Sequence, residues 1–416
     1  MRDTDTRPTG PASQQGMRRA NLALVLGQIA QGPRSRADVA AATGLTRAAV
    51  SSLAEELLTA GLLTEAGPAA PSGRVGRPGT ALGLAPDGPG GLGAEIGVQH
   101  LAACVVDLRG EVRSWQRMEV RNRGRRPATV LADLAELLRR AAESSGLRPA
   151  GLGLAVPGLV GVAEGMVERA PNLGWSGVPV AAELRPALRA VGAEELSALP
   201  IEVGNEANLG GLAELWLGGR PGDFFHLSAE AGIGSAIVVG GRLLRGARGF
   251  AGELGHVPVR PDGPLCACGA RGCLEQYAGE AAVLREAGLE GAHGDWVALL
   301  AERAADGDGA VLAALDGAGA ALGIAAAGAV NLLDPAELVL GGGYAELAPW
   351  LLPAMRRELA VRVTVRPWSD DWLTVSGLGR RGPLLGAAVG VVRAIVADPG
   401  RFAGRGGDEA PWQGTD

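Results

Sequence analysis

The chain has 416 residues, 47% of them hydrophobic and 20% charged, which is enough apolar material for two or three packed domains and excludes a wholly disordered protein. Its formal net charge is −6 and its 39 basic residues are all arginines, so no overall basic excess marks a nucleic-acid binder. The charge is unevenly spread, however: residues 1–90 carry nine basic and seven acidic side chains while the rest of the chain carries a net −8, a split that permits a DNA-binding head on an acidic body.

Residues 1–17 are polar, lack the apolar stretch of a signal peptide and are expected to form a disordered tail. From about residue 18 the spacing predicts a helix with Leu22, Val25, Leu26 and Ile29 on one face, ended by Gly32-Pro33. Ser35 then stands as an N-cap before a short helix over 36–42. Thr43-Gly44-Leu45 makes a turn, and Thr46 caps a third helix whose apolar face is Val50, Leu53, Leu57 and Leu58. A Pro/Gly-rich stretch over 66–80 carries Arg74 and Arg77 and leads into a short apolar segment at 81–85. Helix, short helix, turn glycine and third helix in this order fit a winged helix-turn-helix over 18–84.

In such a unit the third helix enters the major groove and presents Thr46, Arg47, Ser51 and Ser52, which are short or basic and let the backbone approach base edges. Arg36 completes that candidate set, and Arg74 and Arg77 would lie in the wing, along a phosphate ridge or in the minor groove. A small three-helix adaptor whose surface carries Ser and Arg is the alternative.

A linker over 85–91 leads into strand-like segments at 92–98, 101–107 and 111–120, a helix over 128–145, a strand at 150–156, a helix near 179–190 and a strand at 200–203. A helix near 206–217 and strands at 223–229 and 233–239 follow, and this alternation indicates an α/β domain over 92–400. Beyond the cysteine-rich segment the pattern is largely helical, with a strand at 337–340 ending in Gly341-Gly342-Gly343. The apolar run Gly317–Val330 is too short to span a bilayer and reads as a buried helix, so no membrane segment is expected. Residues 401–416 read as a loose tail.

Three of the four cysteines, Cys266, Cys268 and Cys273, fall within eight residues, and His256 lies just upstream. One imidazole and three thiolates are the four ligands that tetrahedral zinc prefers, and a set already complete leaves no position for a catalytic water. One structural zinc per chain is therefore expected, in the reducing, cytoplasmic setting that unpaired cysteines favour. Reduced, buried thiols are the alternative. Cys104 reads as a small core residue, and His100, His226 and His293 as surface or structural histidines.

These residues resemble the ROK family (repressors, open reading frames, kinases). Its signature is matched by Gly249-Phe250-Ala251-Gly252-Glu253-Leu254-Gly255-His256 and by the Cys-x-Cys-Gly-x-x-Gly-Cys-Leu-Glu run ending at Glu275. Gly151–Gly158, Ala170–Leu173, Asn205–Asn208 and Gly232–Gly234 are similar to further landmarks, and residues 34–63 resemble the helix-turn-helix of the repressor branch. The resemblance implies an α/β fold with a two-lobed actin- and sugar-kinase-like (ribonuclease H-like) body. It implies sugar contacts from Asn205, Glu206, Glu253, His256 and Glu275, with His256 binding zinc through one ring nitrogen and a sugar hydroxyl through the other.

Two departures fall on phosphoryl transfer. Family kinases carry Asp where this chain has Glu206, and an Asp-x-Gly-x-Thr loop where it reads Glu95-Ile96-Gly97-Val98-Gln99. Moving a catalytic base by about 1 Å costs on the order of 100-fold in rate, so Glu206 reads as a degenerate base and no catalytic residue is expected. The implied function is a sugar-responsive regulator, a repressor, which binds double-stranded operator DNA as a homodimer or homotetramer and a sugar or sugar phosphate in its cleft. An active sugar kinase with an N-terminal adaptor is the alternative.

Overall fold

The computed structural model of the chain describes residues 14–68, 80–161, 165–292 and 294–403. Arg74, Arg77 and His293 lie outside the described residues.

The N-terminal unit comprises α1 (Gln14–Ala30), β1 (Arg34–Ser35), α2 (Arg36–Thr43), α3 (Arg47–Thr59), β2 (Leu63–Pro68) and β3 (Thr80–Leu84). The strands form one small sheet in the order β1-β3-β2. Both expected caps are present: the Ser35 hydroxyl accepts from the Asp38 N–H, and the Thr46 hydroxyl accepts from the Ala49 N–H. Gly44 closes α2 in the left-handed conformation at φ 72°, where a Cβ would be strained. The buried faces of the three helices meet through Leu22, Val25, Leu26 and Ile29 against Val39, Val50, Leu53 and Leu57. The first helix begins at Gln14 rather than near residue 18. Its first turns are held from outside the helix, by Arg18 donating to Glu56 of α3 and by Arg19 paired with Asp398.

The first lobe of the body begins with β4 (Gly90–Ile96), β5 (His100–Val106), β6 (Val112–Glu119), α4 (Pro127–Ser145) and β7 (Pro149–Val156). It continues through β8 (Leu159–Val160), β9 (Met166–Ala170), β10 (Trp175–Pro179), α5 (Val180–Ala190), α6 (Glu194–Ser197), β11 (Ile201–Asn205) and α7 (Glu206–Trp216). Its main sheet runs β11-β7-β4-β5-β6, antiparallel along β4, β5 and β6 and parallel along β4, β7 and β11. The small antiparallel sheet β10-β9-β8 is not anticipated from the sequence, because its strands are short and broken by glycine and proline.

The second lobe comprises β12 (Phe224–Ala229), β13 (Ile233–Val239), β14 (Arg242–Leu243), α8 (Glu275–Ala278), α9 (Glu280–Glu286), α10 (Trp296–Ala305) and α11 (Gly309–Leu333). It is completed by β15 (Glu337–Gly342), α12 (Gly343–Arg362) and β16 (Leu373–Val375), after which come α13 (Gly382–Ala397) and α14 (Gly400–Ala403). Its sheet runs β14-β13-β12-β15-β16, again with two antiparallel and two parallel pairings. The two lobes therefore repeat one topology, three antiparallel strands followed by two parallel ones. In such sheets ligands sit beyond the carboxyl ends of the parallel strands, here Ile96, Asn205, Ala229 and Gly342.

Helix α11 is long and apolar enough to cross a bilayer by length and composition. Its residues Val311, Leu315, Leu322, Ala326 and Val330 are buried in the core of the second lobe beside Leu347, Leu351 and Met355 of α12, the buried-helix role its alanines and glycines suggest.

Helix α13 lies across the first lobe, and the glycine spacing of β4 and β7 explains how. Gly91 pairs with Gly151 and Gly93 with Gly153, so two adjacent strands offer a shelf without side chains. A Cβ on Gly153 would overlap the Ala387 carbonyl oxygen, and one on Gly93 would lie 2.7 Å from the Leu384 carbonyl oxygen. Gly153→Val is thus expected to cost about 3 kcal/mol, since neither the helix backbone nor the sheet can yield. By contrast Gly328→Ala, at an open position inside α11, should add up to about 1 kcal/mol. Denaturant unfolding of the two variants checks the pair, and equal effects would rule out close backbone packing as the reason for these glycines.

The head and body share one apolar cluster. Leu22, Leu26, Leu57 and Leu82 belong to the same cluster as Ala102, Cys104 and Val106 of β5 and Leu384, Val389, Val392 and Ile395 of α13. The Ala85 N–H donates to the Leu62 carbonyl, and β4 is already formed at Gly90. The segment 85–91 is thus a tight connection against the body, and Gly400–Ala403 adds a last helical turn where a loose tail is expected. Cys104 is a core residue, as read from its apolar strand.

Candidate effector cleft, metal centre and DNA-facing helix

Helix α3 is amphipathic, with Val50, Leu53, Ala54 and Leu57 buried. Its outer face presents Thr46, Arg47, Ser51 and Ser52, all exposed, and Arg36 is half-buried at the start of α2. Neither Arg36 nor Arg47 has an ion-pair or hydrogen-bond partner among the described residues, in a chain where many arginines are paired. Two free cations beside short hydroxyl side chains at a capped helix N-terminus are a suitable surface for phosphates and base edges.

The cysteine segment folds into a compact knuckle. Isolated bridges join Pro258 to Cys273 and Leu265 to Arg271, and the Gly269 N–H donates to the Cys266 carbonyl. Gly272, at φ 67°, packs against the Arg260 carbonyl so closely that no Cβ fits. The ligand atoms of His256, Cys266, Cys268 and Cys273 all lie within 4.8 Å of one another. Cys266 Sγ is 3.8 Å from His256 Nδ1, and Cys268 Sγ is 3.7 Å from Cys273 Sγ. Tetrahedral bonds of about 2.3 Å to sulfur place donor atoms roughly 3.8 Å apart, so the two close pairs already have the spacing of a tetrahedral metal site and the set could hold an ion. The Nε2 atom of His256 faces the other way and lies 3.9 Å from Glu253 Oε2.

Between the lobes lies a cavity of about 450 Å³. Of the five residues expected to contact sugar, Glu206 lines it directly. Asn205 is partly committed: its side-chain oxygen caps α7 by accepting from the Asn208 N–H, and its amide donates to the Gly158 carbonyl at 2.8 Å. Glu275 accepts from the Ile233 N–H at 3.3 Å and converges with Asn172, a cavity residue, over Gly232. Glu253 and His256 stand on the metal side of this group, on and just before the single turn Leu254–His256. Gln99, the position that departs from the kinase loop, also lines the cavity.

Sequence reasoning missed several cleft residues. His100, read as structural or on the surface, lines the cavity although only 4% exposed. Glu95, named in the sequence only as the start of the altered phosphate loop, is 2% exposed behind it, with Oε1 at 3.4 Å from His100 Nε2. Arg380 donates through Nε and Nη2 to both oxygens of Glu230, at 3.1 and 3.0 Å, and through Nη1 to Asp295 at 2.6 Å. No motif marks Glu230 or Arg380. Only a lone acid between two alanines in an apolar turn hints at the first. His226, read as surface or structural, is 3% exposed, and burial depresses its imidazole to about 4.

Burial, and then the neighbouring Glu95 and Glu230 carboxylates, push the Glu206 carboxyl up to about 8. The native state thus holds this proton more tightly than the unfolded chain. The resulting stability is complete below about pH 4.5 and is lost as pH rises to about 8. Glu206→Gln is expected to gain on the wild type across that window by up to about 1.4 kcal/mol per pH unit, the two converging in acid. Unfolding curves at a series of pH values test this, and a pH-independent difference would place the proton elsewhere.

The profile of the ROK family matches residues 91–393. The chain belongs to the ROK family. A xylose repressor of Caldicellulosiruptor bescii is 28% identical over 88% of this ROK chain and 93% of its own length. A glucokinase of Halalkalibacterium halodurans is 29% identical over 71% of the chain and 92% of its own length. The crystal structure of a ROK family transcriptional regulator, a homolog of the E. coli MLC protein, aligns at a TM-score of 0.75 with 24% identity, covering 93% of this ROK chain and 99% of its own. The likeness to the repressor runs through head and body, whereas the kinase likeness has the extent of the body alone. The α/β fold, with a helical head and a two-lobed kinase-like body, is that of the family.

Proposed function

We propose that the chain is a sugar-responsive transcriptional repressor. In this reading the head, residues 18–84, grips an operator, and the body, residues 92–400, binds a sugar or sugar derivative without phosphorylating it. The observation that carries it is coverage: the chain matches a xylose repressor across 88% of its length, head included, and a glucokinase across 71%. The face of α3 supports the same reading, with Thr46, Arg47, Ser51 and Ser52 turned outward and Arg36 nearby.

The cleft argues against phosphoryl transfer. A nucleotide triphosphate needs cationic or backbone N–H groups around its phosphates. Glu95, Glu206 and Glu230 crowd that space instead, and the donors of Arg380 are already committed to Glu230 and Asp295. Asn205, Glu206, Glu253, His256 and Glu275 form the sugar-reading set, with Asn172 beside them. One structural zinc, held by His256, Cys266, Cys268 and Cys273, orients the His256 ring so that Nε2 serves the sugar side. The zinc supplies rigidity to that wall and no reactive water.

Helix α13 connects the two functions. Arg380, in the turn just ahead of it, sits in the cleft, and Asp398, just beyond it, binds Arg19 of the DNA-binding head. The helix spans about 24 Å at 1.5 Å per residue. A sugar that shifts Arg380 moves a rod whose far end carries the head, and it regulates to the extent that its affinity differs between the two head positions. Action on a palindromic operator calls for a homodimer or a dimer of dimers in the cytoplasm.

The test is operator binding by the full chain, selected from genomic fragments, with a panel of free sugars and sugar phosphates added. One of them is expected to release or tighten the complex, with no ATP consumed. Turnover of ATP with a sugar at about 1–100 s⁻¹, with no selected fragment, would establish a kinase instead.

A further inference from the structure

The charge arrangement of the interlobe cavity points to the chemical class of its ligand. Glu119, Glu206, Glu230, Glu280 and Asp295 line it, and Glu95 lies buried beside it. Three arginines share the lining, but two are already engaged. Arg380 is held by Glu230 and Asp295, and Arg117 donates to Glu119 at 2.6 Å. Arg121 stands exposed at the rim. Glu206 is thus left without a paired arginine, and Glu95 has only the His100 ring beside it.

A second observation marks the same place as built for a donor and acceptor that the chain does not supply. His100 Nε2 and Glu95 Oε1 are both buried without a hydrogen-bond partner, 3.4 Å apart and short of hydrogen-bonding geometry. Buried polar atoms are normally satisfied, and exceptions call for a reason such as an absent ligand. Their residues are 4% and 2% exposed, and His100 faces the cavity.

A bare metal ion does not fit this need. Among the described residues, the one group of three or more ligating side chains whose atoms come within 4.8 Å of one another is the His256–Cys cluster. A divalent ion needs several oxygen ligands converging on it through bonds of about 2.0–2.6 Å, and no three ligating side chains of the cleft come within 4.8 Å of one another among the described residues. An ammonium carried on a carbon skeleton reaches farther, with N–H···O contacts of about 2.7–2.9 Å, and presents three donors to different acceptors. A cavity of about 450 Å³ suits a small polar ligand of that kind.

We propose that the effector is a sugar bearing a free, protonated amine, with its ammonium held by Glu206 next to His100, in front of the buried Glu95 carboxylate. This rests on the sugar-responsive reading and narrows it: an anionic sugar phosphate is disfavoured at this end of the cavity.

Calorimetric titration of the full chain near neutral pH, in buffers of different ionisation enthalpy, tests it, because the ammonium takes the place of the proton that Glu206 holds there and binding releases that proton to the buffer. The probes are 2-amino-2-deoxy forms of glucose, galactose and mannose and 6-amino-6-deoxyglucose, each beside its neutral parent and its N-acetyl form, with glucose 6-phosphate added. One amino sugar is expected to bind at least about tenfold more tightly than its parent and its N-acetyl form. Glu206→Gln is expected to remove that preference. Glu95→Gln, which keeps the volume, should do the same and serves if the first variant does not fold. Equal or tighter binding of a neutral sugar or the phosphate overturns the ammonium assignment and leaves the sugar-responsive reading standing. So does an undiminished amino-sugar preference in both glutamine variants, for the carboxylates named. Operator binding that persists while no sugar in the panel binds would overturn both.

Discussion

Cys268→Ser is expected to take the metal content of the purified chain from one zinc per molecule to near zero. The Cys268 sulfur is 3.7 Å from that of Cys273, and the four donors of the cluster lie within 4.8 Å of one another, so each ligand is needed to close the tetrahedron. A serine hydroxyl does not ionise near neutral pH and is a poor zinc ligand. Metal binding in such knuckles is itself folding free energy, of about 10–16 kcal/mol in zinc-finger peptides. The knuckle has few other attachments, two isolated bridges and a few backbone hydrogen bonds, so it should open once the ion is gone.

The effect should reach the cleft. His256 Nδ1 belongs to the cluster while Nε2 faces Glu253, and a ring no longer fixed at one nitrogen cannot aim the other. Sugar affinity is expected to fall with metal content, and amide exchange over residues 256–275 to rise well before global unfolding. Elemental analysis of the variant beside the wild type decides the matter, and full metal retention by the variant would remove Cys268 from the ligand set.

The second large effect concerns DNA. Arg47→Ala combined with Ser51→Ala is expected to weaken operator binding by about 10- to 100-fold at fixed salt, the scale of losing a base-reading arginine. Both side chains are exposed and neither makes a contact that the fold needs. Unfolding and sugar affinity should therefore stay unchanged, which separates this outcome from misfolding. Arg36→Ala should act differently if it meets a phosphate, weakening all sequences alike and lowering the salt slope by about one. Operator affinity equal to wild type in the double variant would show that the base-reading surface lies elsewhere on the head.

Much of the chain was legible in its residues because the decisive signals are local. Ser35, Gly44 and Thr46 cap or end helices through hydrogen bonds and a backbone angle that each residue type determines nearly alone. His256 and the three cysteines could be grouped because all four lie within one short stretch of chain. The alternating strands and helices of the body were likewise readable from period and length. Where strands shrink to two or five residues and carry glycine or proline, as in β8, β9 and β10, no period survives and the small sheet went unseen.

Legible in the residues alone is whatever is written within one turn, one strand or one short loop: the capped helices of the head, the grouping of His256 with three cysteines, and the family. Only the tertiary structure decided which distant groups share the cleft. Glu95 and Glu206 were linked only through the family's phosphoryl-transfer motifs, and Glu230 and Arg380, far from both along the chain, carry no motif at all. They meet because two lobes of one topology turn the carboxyl ends of their parallel strands toward the same space, while the glycine shelf of β4 and β7 seats α13 and so delivers Arg380. Charges brought together in that way take their energies from burial and mutual distance, and neither quantity exists until the chain has folded.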